Sequence, residues 1–438
     1  MKIFSCVLLI PFTITFSAAQ DLSYAHAVID TLASPAMHGR GYVQGGDKLA
    51  SAFVAGEFRK FDLVPLAGNF FQEISFPVNT FPGEMNLEID GLALAPGKDF
   101  IVSSCSGSLS GTFNIERLGH ILETPLQKRE NFIIVIDSGQ FKDSAFAGKE
   151  NLCAENLMKN FALKGIHPSG IILLEEEKLT ASVSVSRSSV ALIVMRSKAL
   201  PPAAREAKIN IRSVFHKKYR SRNVAGMIRG IARPDSFIVF TAHYDHLGRM
   251  GDSVFFPGAN DNASGIAMLL NLAGYFSAPE HRPYCSIAFI AFGGEELGLL
   301  GSEYYTEHPL FPLSQIKFLI NMDLLGTGEE GMMVVNGSVY EEAFRALLKV
   351  NEEHRYLPQI LKRPRAMNSD HYYFTEKGVP SFFFYTLGGI RAYHDIYDRP
   401  ETLPLTEFED IFRLVVAFTE ISLQGEVPGR GDSYPFKQ

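Results

Sequence analysis

Four apolar runs in the C-terminal half of the chain each lead into titratable residues, and that arrangement limits the fold more than any other feature. Ser236 to Ala242 ends in His243, Ser286 to Phe292 ends in Gly293-Gly294-Glu295-Glu296, and Phe318 to Met322 ends in Asp323. Ser381 to Thr386 is followed, eight residues on, by His394. Helical patterns such as Ala263 to Phe276 lie between the runs. Alternating apolar strands and helices are the signature of a parallel α/β sheet. In open α/β sheets, ligands bind beyond the carboxyl ends of the strands. Titratable residues far apart in sequence are therefore expected at one rim.

Taken singly, these residues say little. A histidine near a strand end, such as His243 or His246 in His243-Tyr244-Asp245-His246, is commonly structural. Asp261, in the polar turn Gly258 to Gly265, has the position of a helix N-cap. Glu295-Glu296 is more telling, because adjacent acids behind a strand repel unless something offsets their charge. Asp323 ends a buried strand, a costly place for an unpaired charge. Together they put two histidines and three carboxylates at one rim, with one glutamate to spare. Oxygen and nitrogen donors without cysteine suit a pair of Zn²⁺ ions, and a carboxylate bridges two metals about 3.5–4 Å apart. Such cations would let so many acids sit together ionised.

Composition narrows the class. The 438 residues are 46% hydrophobic and 20% charged, which is ordinary globular usage and excludes a disordered or fibrous chain. The net charge of −7 and the lack of a large basic cluster argue against nucleic acid as a partner. The longest basic cluster, Lys217, Lys218, Arg220 and Arg222, reads as a solvated linker. At the N-terminus, Lys2 is followed by the apolar stretch Ile3 to Phe16 and the small residues Ser17-Ala18-Ala19, the pattern of a secretory signal peptide. Residues 1–20 are therefore expected to be removed on export to the periplasm or medium, leaving a chain with no membrane span. Cys105, Cys153 and Cys285 would remain, and Cys105 with Cys153 is a possible pair.

Three blocks follow. Residues 21–80 and 216–425 carry the α/β pattern, with helices expected at Leu22 to Leu32 and Lys48 to Phe61. Residues 81–215 read as short strands: Met85 to Ile89, Phe100 to Ser104, Phe132 to Ile136, Ile171 to Leu174 and Val190 to Val194. A helical stretch lies at Ala154 to Lys164. The expected fold class is thus α/β, a mostly parallel central sheet flanked by helices with a β-rich inserted domain. Residues 426–438 form a loose tail.

Six stretches, TAHYDHLG (241–248), GANDNASG (258–265), FGGEELGLLGS (292–302), NMDLLG (321–326), SDHYYF (369–374) and YHDIYDRPET (393–402), carry a resemblance to the bridged di-zinc exopeptidases that include secreted bacterial aminopeptidases. Their order and spacing also fit. The resemblance implies two Zn²⁺ per chain, with His243 and Asp323 on one, Glu296 and His394 on the other, and Asp261 bridging. It implies Glu295 as general base, Asp245 orienting His243, and Tyr393 as a donor to the oxyanion. Zinc-activated water would hydrolyse N-terminal residues from peptides with a free N-terminus. Asp395 departs from the pattern, since many members have threonine or serine there. His246, Asp370 and His371 belong near the rim, as orienting, substrate-contacting or purely structural groups. Block 81–215 resembles a protease-associated domain, which implies a cover over the site. Two rivals stand beside this reading: a glutaminyl cyclase-like acyltransferase with a single zinc, and a non-catalytic binding protein on a peptidase fold. The second predicts lost ligands, and none is lost.

Overall fold

The computed structural model describes residues 22–117, 131–137, 158 and 165–424. The expected signal peptide, Cys153, the tail and, apart from Met158, the helical stretch Ala154 to Lys164 lie outside them. The chain forms an α/β fold around two large sheets.

Four strands form the centre of the first, nine-stranded sheet. They run side by side in the order Cys285–Phe292, Arg233–His243, Ile316–Met322, Ser381–Thr386, and all three ladders are parallel. These are the four apolar runs read from the sequence. All eight residues of Cys285–Phe292 are buried, because helices cover both faces and neither side of the pleat meets water. Its odd and even residues go to different cores. Ile287, Phe289 and Ala291 pack with helices Leu22–Leu32, Gly46–Lys60, Gly265–Ser277 and Phe408–Gln424. Ala288, Ile290 and Phe292 pack with Tyr305 and Phe374 on the opposite side. Each fully buried phenylalanine contributes about 1.5–3 kcal/mol.

Outside these four strands the sheet is mixed: the strand next to each end of the group runs antiparallel to it, while Met332–Val335 and the edge strand Ile360–Arg363 pair in parallel. Met332–Val335 reverses against Ser381–Thr386. Val214–Ile228 runs antiparallel to Cys285–Phe292 and to Phe71–Thr80. This placement corrects the linker reading of Lys217 to Arg222, which is the middle of a strand. A β-bulge between His216 and Tyr219 breaks the two-residue alternation there, and Pro77 of the partner strand lies opposite it. A proline is tolerated at a bulge because no ladder bond needs its missing N–H.

The second sheet has eight strands, all between Met85 and Ile211. The expected strands are present at Met85–Ile89, Phe100–Val102, Phe132–Asp137, Gly170–Glu175 and Ala191–Arg196. Leu109–Arg117 and Glu206–Ile211 were not foreseen. Its core also takes in Leu247, Met250 and Phe256, which follow the Arg233–His243 strand of the first sheet. The two sheets therefore share apolar packing beside the strand end that carries His243. Among the described residues, no helix is long and apolar enough to cross a membrane.

Candidate metal centre

The residues expected at the rim converge at the C-terminal ends of the four parallel strands. His243 is the last residue of its strand and is buried. Its Nδ1 lies 3.2 Å from the Asp245 carbonyl oxygen. A carbonyl only accepts, so Nδ1 carries the proton and Nε2 presents a lone pair to the site. That lone pair is 3.4 Å from Asp261 Oδ1 and 3.3 Å from Asp323 Oδ1. On the other side, His394 Nε2 lies 3.0 Å from Asp261 Oδ2 and 3.2 Å from Glu296 Oε2. Asp261 therefore has one oxygen in each of two donor sets. Asp323 Oδ1 is buried without a hydrogen bond, while its Oδ2 accepts from the Ser369 hydroxyl at 3.2 Å.

The His243 distances fit zinc. At Zn–N and Zn–O lengths of about 2.0–2.2 Å, ligand atoms on a tetrahedron are about 3.3–3.6 Å apart. The two His394 contacts, at 3.0 and 3.2 Å, are slightly shorter and also within hydrogen-bond reach. The hydrogen-bonded pair of His246 Nδ1 and Glu296 Oε1 is shorter still, at 2.6 Å. His246 thus steadies Glu296, although it too lies within ligand reach of Glu296 and Asp261. Glu295 Oε2 is 4.0 Å from His243 Nε2, farther than the Asp261 and Asp323 oxygens, although Glu295 too lies within ligand reach of His243 and Asp323.

The charges agree with the distances. Burial opposes charge on His394, yet Glu296 and Asp261 push its pKa up to about 11. His243 is likewise raised well above its ordinary range, because Glu295 and Asp323 outweigh burial. Burial would raise Asp261 and Glu296, but the histidines hold Asp261 well below the usual carboxylate range and Glu296 at about 2. Glu295 goes the other way. Burial, reinforced by Asp370, Glu296 and Asp323, keeps its carboxyl well above the usual range. The pull of these acids for positive charge at both histidines is one that bound cations would answer.

Apart from Asp245, several side chains that hold the cluster had no role read from the sequence. Arg40 is fully buried and donates to five carbonyls, those of Tyr244, Leu32, Pro257, Gly258 and Asp261, at 2.7–3.0 Å. It ties the strand end carrying His243 to the turn carrying Asp261. Asp398 accepts from the backbone N–H groups of Asn260 and Asp261 at 2.8 and 3.0 Å. The Asp245 carboxylate accepts from the Tyr42 hydroxyl at 2.8 Å and from Glu295 N–H at 3.2 Å. Asp245 therefore touches His243 chiefly through its carbonyl and positions Glu295 through its carboxylate. A buried arginine between glycines, Gly39-Arg40-Gly41, was the nearest available signal.

The donors open onto a cleft of about 540 Å³. Its walls include Leu299, Leu324, Met367, Phe383, Tyr385 and Tyr393. Tyr393 stacks on the His394 ring at 3.9 Å, and burial raises its hydroxyl above the ordinary range. Asp370 is buried and pushed up to about 7 by that burial. His371 packs on Phe383, and burial brings it down to about 3, so it is a neutral core ring.

Comparison with known proteins gives this geometry a context. Residues 223–419 match the model for Peptidase family M28. The chain is 34% identical over 194 residues to Aminopeptidase YwaD of Bacillus subtilis, a match covering 41% of this chain and 38% of that protein. It is 36% identical over 115 residues to a probable zinc metalloprotease of Pyricularia oryzae, covering 25% of this chain and 22% of that one. The matches thus span well under half of these curated relatives. Among solved structures, BSAP, a zinc aminopeptidase from Bacillus subtilis, superposes with a TM-score of 0.68 at 21% identity, over 94% of this chain and 97% of that one. The aminopeptidase from Aneurinibacillus sp. strain AM-1 gives 0.63 at 18% identity, over 96% and 98%. At these identities the structural likeness speaks for the fold.

Proposed function

From the match of residues 223–419 to Peptidase family M28, we propose that the chain is a member of that family and an exported di-zinc aminopeptidase that removes N-terminal residues from peptides. One observation carries this reading: the Asp261 carboxylate stands between two donor sets, 3.4 Å from His243 and 3.0 Å from His394. His243 and Asp323 would hold one zinc, His394 and Glu296 the other, and Asp261 both. Bound there, zinc supplies Lewis acidity, lowering the pKa of water towards ~7 and polarising the scissile carbonyl.

The protein's own groups do the rest. Glu295 lies beside the donors, farther from His243 than the other carboxylates are, and its raised pKa suits a general base. It takes a proton from the attacking water and passes it to the leaving amine. Asp245 holds Glu295 in place through the backbone N–H. Tyr393, in the cleft wall, donates its hydroxyl to the developing oxyanion. The carboxylates at the rim receive the free α-amine of the substrate, which favours cleavage at the N-terminus. Export through the leader at 1–20 belongs to the same reading.

Metal content and two assays test it together. The purified chain should hold two zinc ions and release the amine from an aminoacyl anilide, without cyclising an N-terminal glutamine peptide. One zinc per chain with cyclisation, or full metal occupancy with neither reaction, would contradict the proposal.

A further inference from the structure

The segment Lys178 to Ala181, which follows the Gly170–Glu175 strand, brings the second sheet to the metal centre. Ala181 makes two bonds to His394. Its N–H donates to the His394 carbonyl oxygen at 2.9 Å, and its own carbonyl lies 3.2 Å from His394 Nδ1. Because a carbonyl only accepts, this contact puts the His394 proton on Nδ1 and turns Nε2 towards Asp261 and Glu296. His394 needs holding, since its φ of +53° is in the left-handed region that side chains other than glycine rarely occupy. Lys178 secures the neighbouring residue. Its ammonium is 2.8 Å from Asp395 Oδ2, donates to the Arg391 carbonyl at 3.0 Å, and lies 5.9 Å from the Tyr393 ring. Asp395 is buried, and its other oxygen accepts from Tyr397 N–H at 2.8 Å. The acid that departs from the expected threonine or serine therefore has a partner, and that partner comes from the other sheet.

We propose that Lys178–Ala181 is a positioning element for the metal centre, with Ala181 setting the tautomer and aim of His394 and the Lys178–Asp395 ion pair locking that contact. The proposal rests on His394 being a zinc ligand. The second sheet is then part of how the site holds metal, more than a cover over it. Hydrogen-bond partners behind a ligating histidine fix its orientation and basicity, and losing one typically weakens metal binding 10–100-fold. An ion pair with a partly exposed lysine is weak alone, so its value here lies in holding the backbone contact.

The test is the release of zinc from the full-length, metal-loaded enzyme to the chelating dye 4-(2-pyridylazo)resorcinol. Wild type should release two ions per chain slowly. Lys178→Met should speed the loss of one of the two by about tenfold, the low end of that range, and leave the other unchanged. Lys178→Arg, which keeps the charge and reach, should behave as wild type. Ala181→Pro, which deletes the N–H donated to His394, should reproduce the selective loss without touching the ion pair. Wild-type release from both Lys178→Met and Ala181→Pro would overturn the proposal. So would equal acceleration of both ions with a lowered melting temperature of the metal-free protein, the mark of a purely structural role. A wild type that binds fewer than two zinc ions removes the di-zinc premise itself, and the proposal falls with it.

Discussion

Glu296 sits between two histidines, while its neighbour Glu295 faces one histidine, His243, and three other acids, a difference in company that suits the different roles proposed for them. The histidines hold Glu296 at about 2, so it is ionised and available as a ligand throughout the physiological range. Glu295 keeps a raised pKa, and its carboxylate is farther from His243 than those of Asp261 and Asp323. Glu295→Gln preserves size and hydrogen bonding but cannot take a proton. It should retain the full metal complement and lose about 10²–10⁴ in kcat, the range for general acid–base catalysis. Glu296→Gln should lose one metal, with partial recovery in excess zinc. Metal analysis alongside kcat decides. The opposite pattern, metal lost from the first variant and kept by the second, would exchange the roles. At this scale the sequence was informative, because an acid at the end of a buried strand is costly and needs a reason. Arg40 and Asp398 were not legible in the same way. They act by binding backbone carbonyls and amides of distant segments, contacts that leave no periodic or compositional trace.

The helix Gly46–Lys60 illustrates what happens one level up. Its first turn carries Asp47, fully buried, which accepts from the Tyr219 hydroxyl at 2.6 Å and the Ser221 hydroxyl at 2.8 Å. These bonds dock the helix on the Val214–Ile228 strand. Burial nevertheless raises Asp47 from 3.8 to about 6, the two hydroxyls offsetting only part of it. The acid is thus bound to its proton more tightly folded than unfolded. Its contribution to stability is complete below pH 3.8 and is lost as pH rises to about 6. The difference amounts to about 3 kcal/mol. Asp47→Asn should therefore match wild type near pH 4 and gain up to about that much by pH 7. Urea denaturation across pH, with chelator present throughout to keep metal out of the comparison, measures it. A stability difference that does not change with pH would show that the buried carboxylate carries no such penalty.

The same pairing shows why part of the fold escaped the sequence. The parallel strands are continuous apolar runs buried on both faces, which is a strong local signal. Val214–Ile228 has a bulge and exposed Lys217 and Lys218 at its centre, so its alternation is interrupted and its charges read as a loop. Phe71–Thr80 buries Ile74, Phe76 and Val78 in alternation but includes Pro77, which demotes a strand unless the bulge opposite is known. The pairing between them spans well over a hundred residues of chain, and nothing local announces it.

At the scale of the whole molecule, the two sheets meet beside the donor cluster. Leu247, Met250 and Phe256 leave the strand end at His243 and enter the core of the second sheet. Ala181 returns from that sheet to His394. Each of the two donor sets therefore has a tie to both sheets, with Asp261 held between them by Arg40 and Asp398. The sequence indicated an inserted β-rich block and a rim of ligands, but gave no sign that one would support the other. The central claim is that two metal ions share Asp261, and anomalous scattering from a crystal at the zinc edge tests it most directly. The account predicts two peaks about 3.5–4 Å apart, one beside His243 and Asp323, the other beside His394 and Glu296, with an Asp261 oxygen on each. A single peak, or two peaks with Asp261 bound to only one of them, would contradict it.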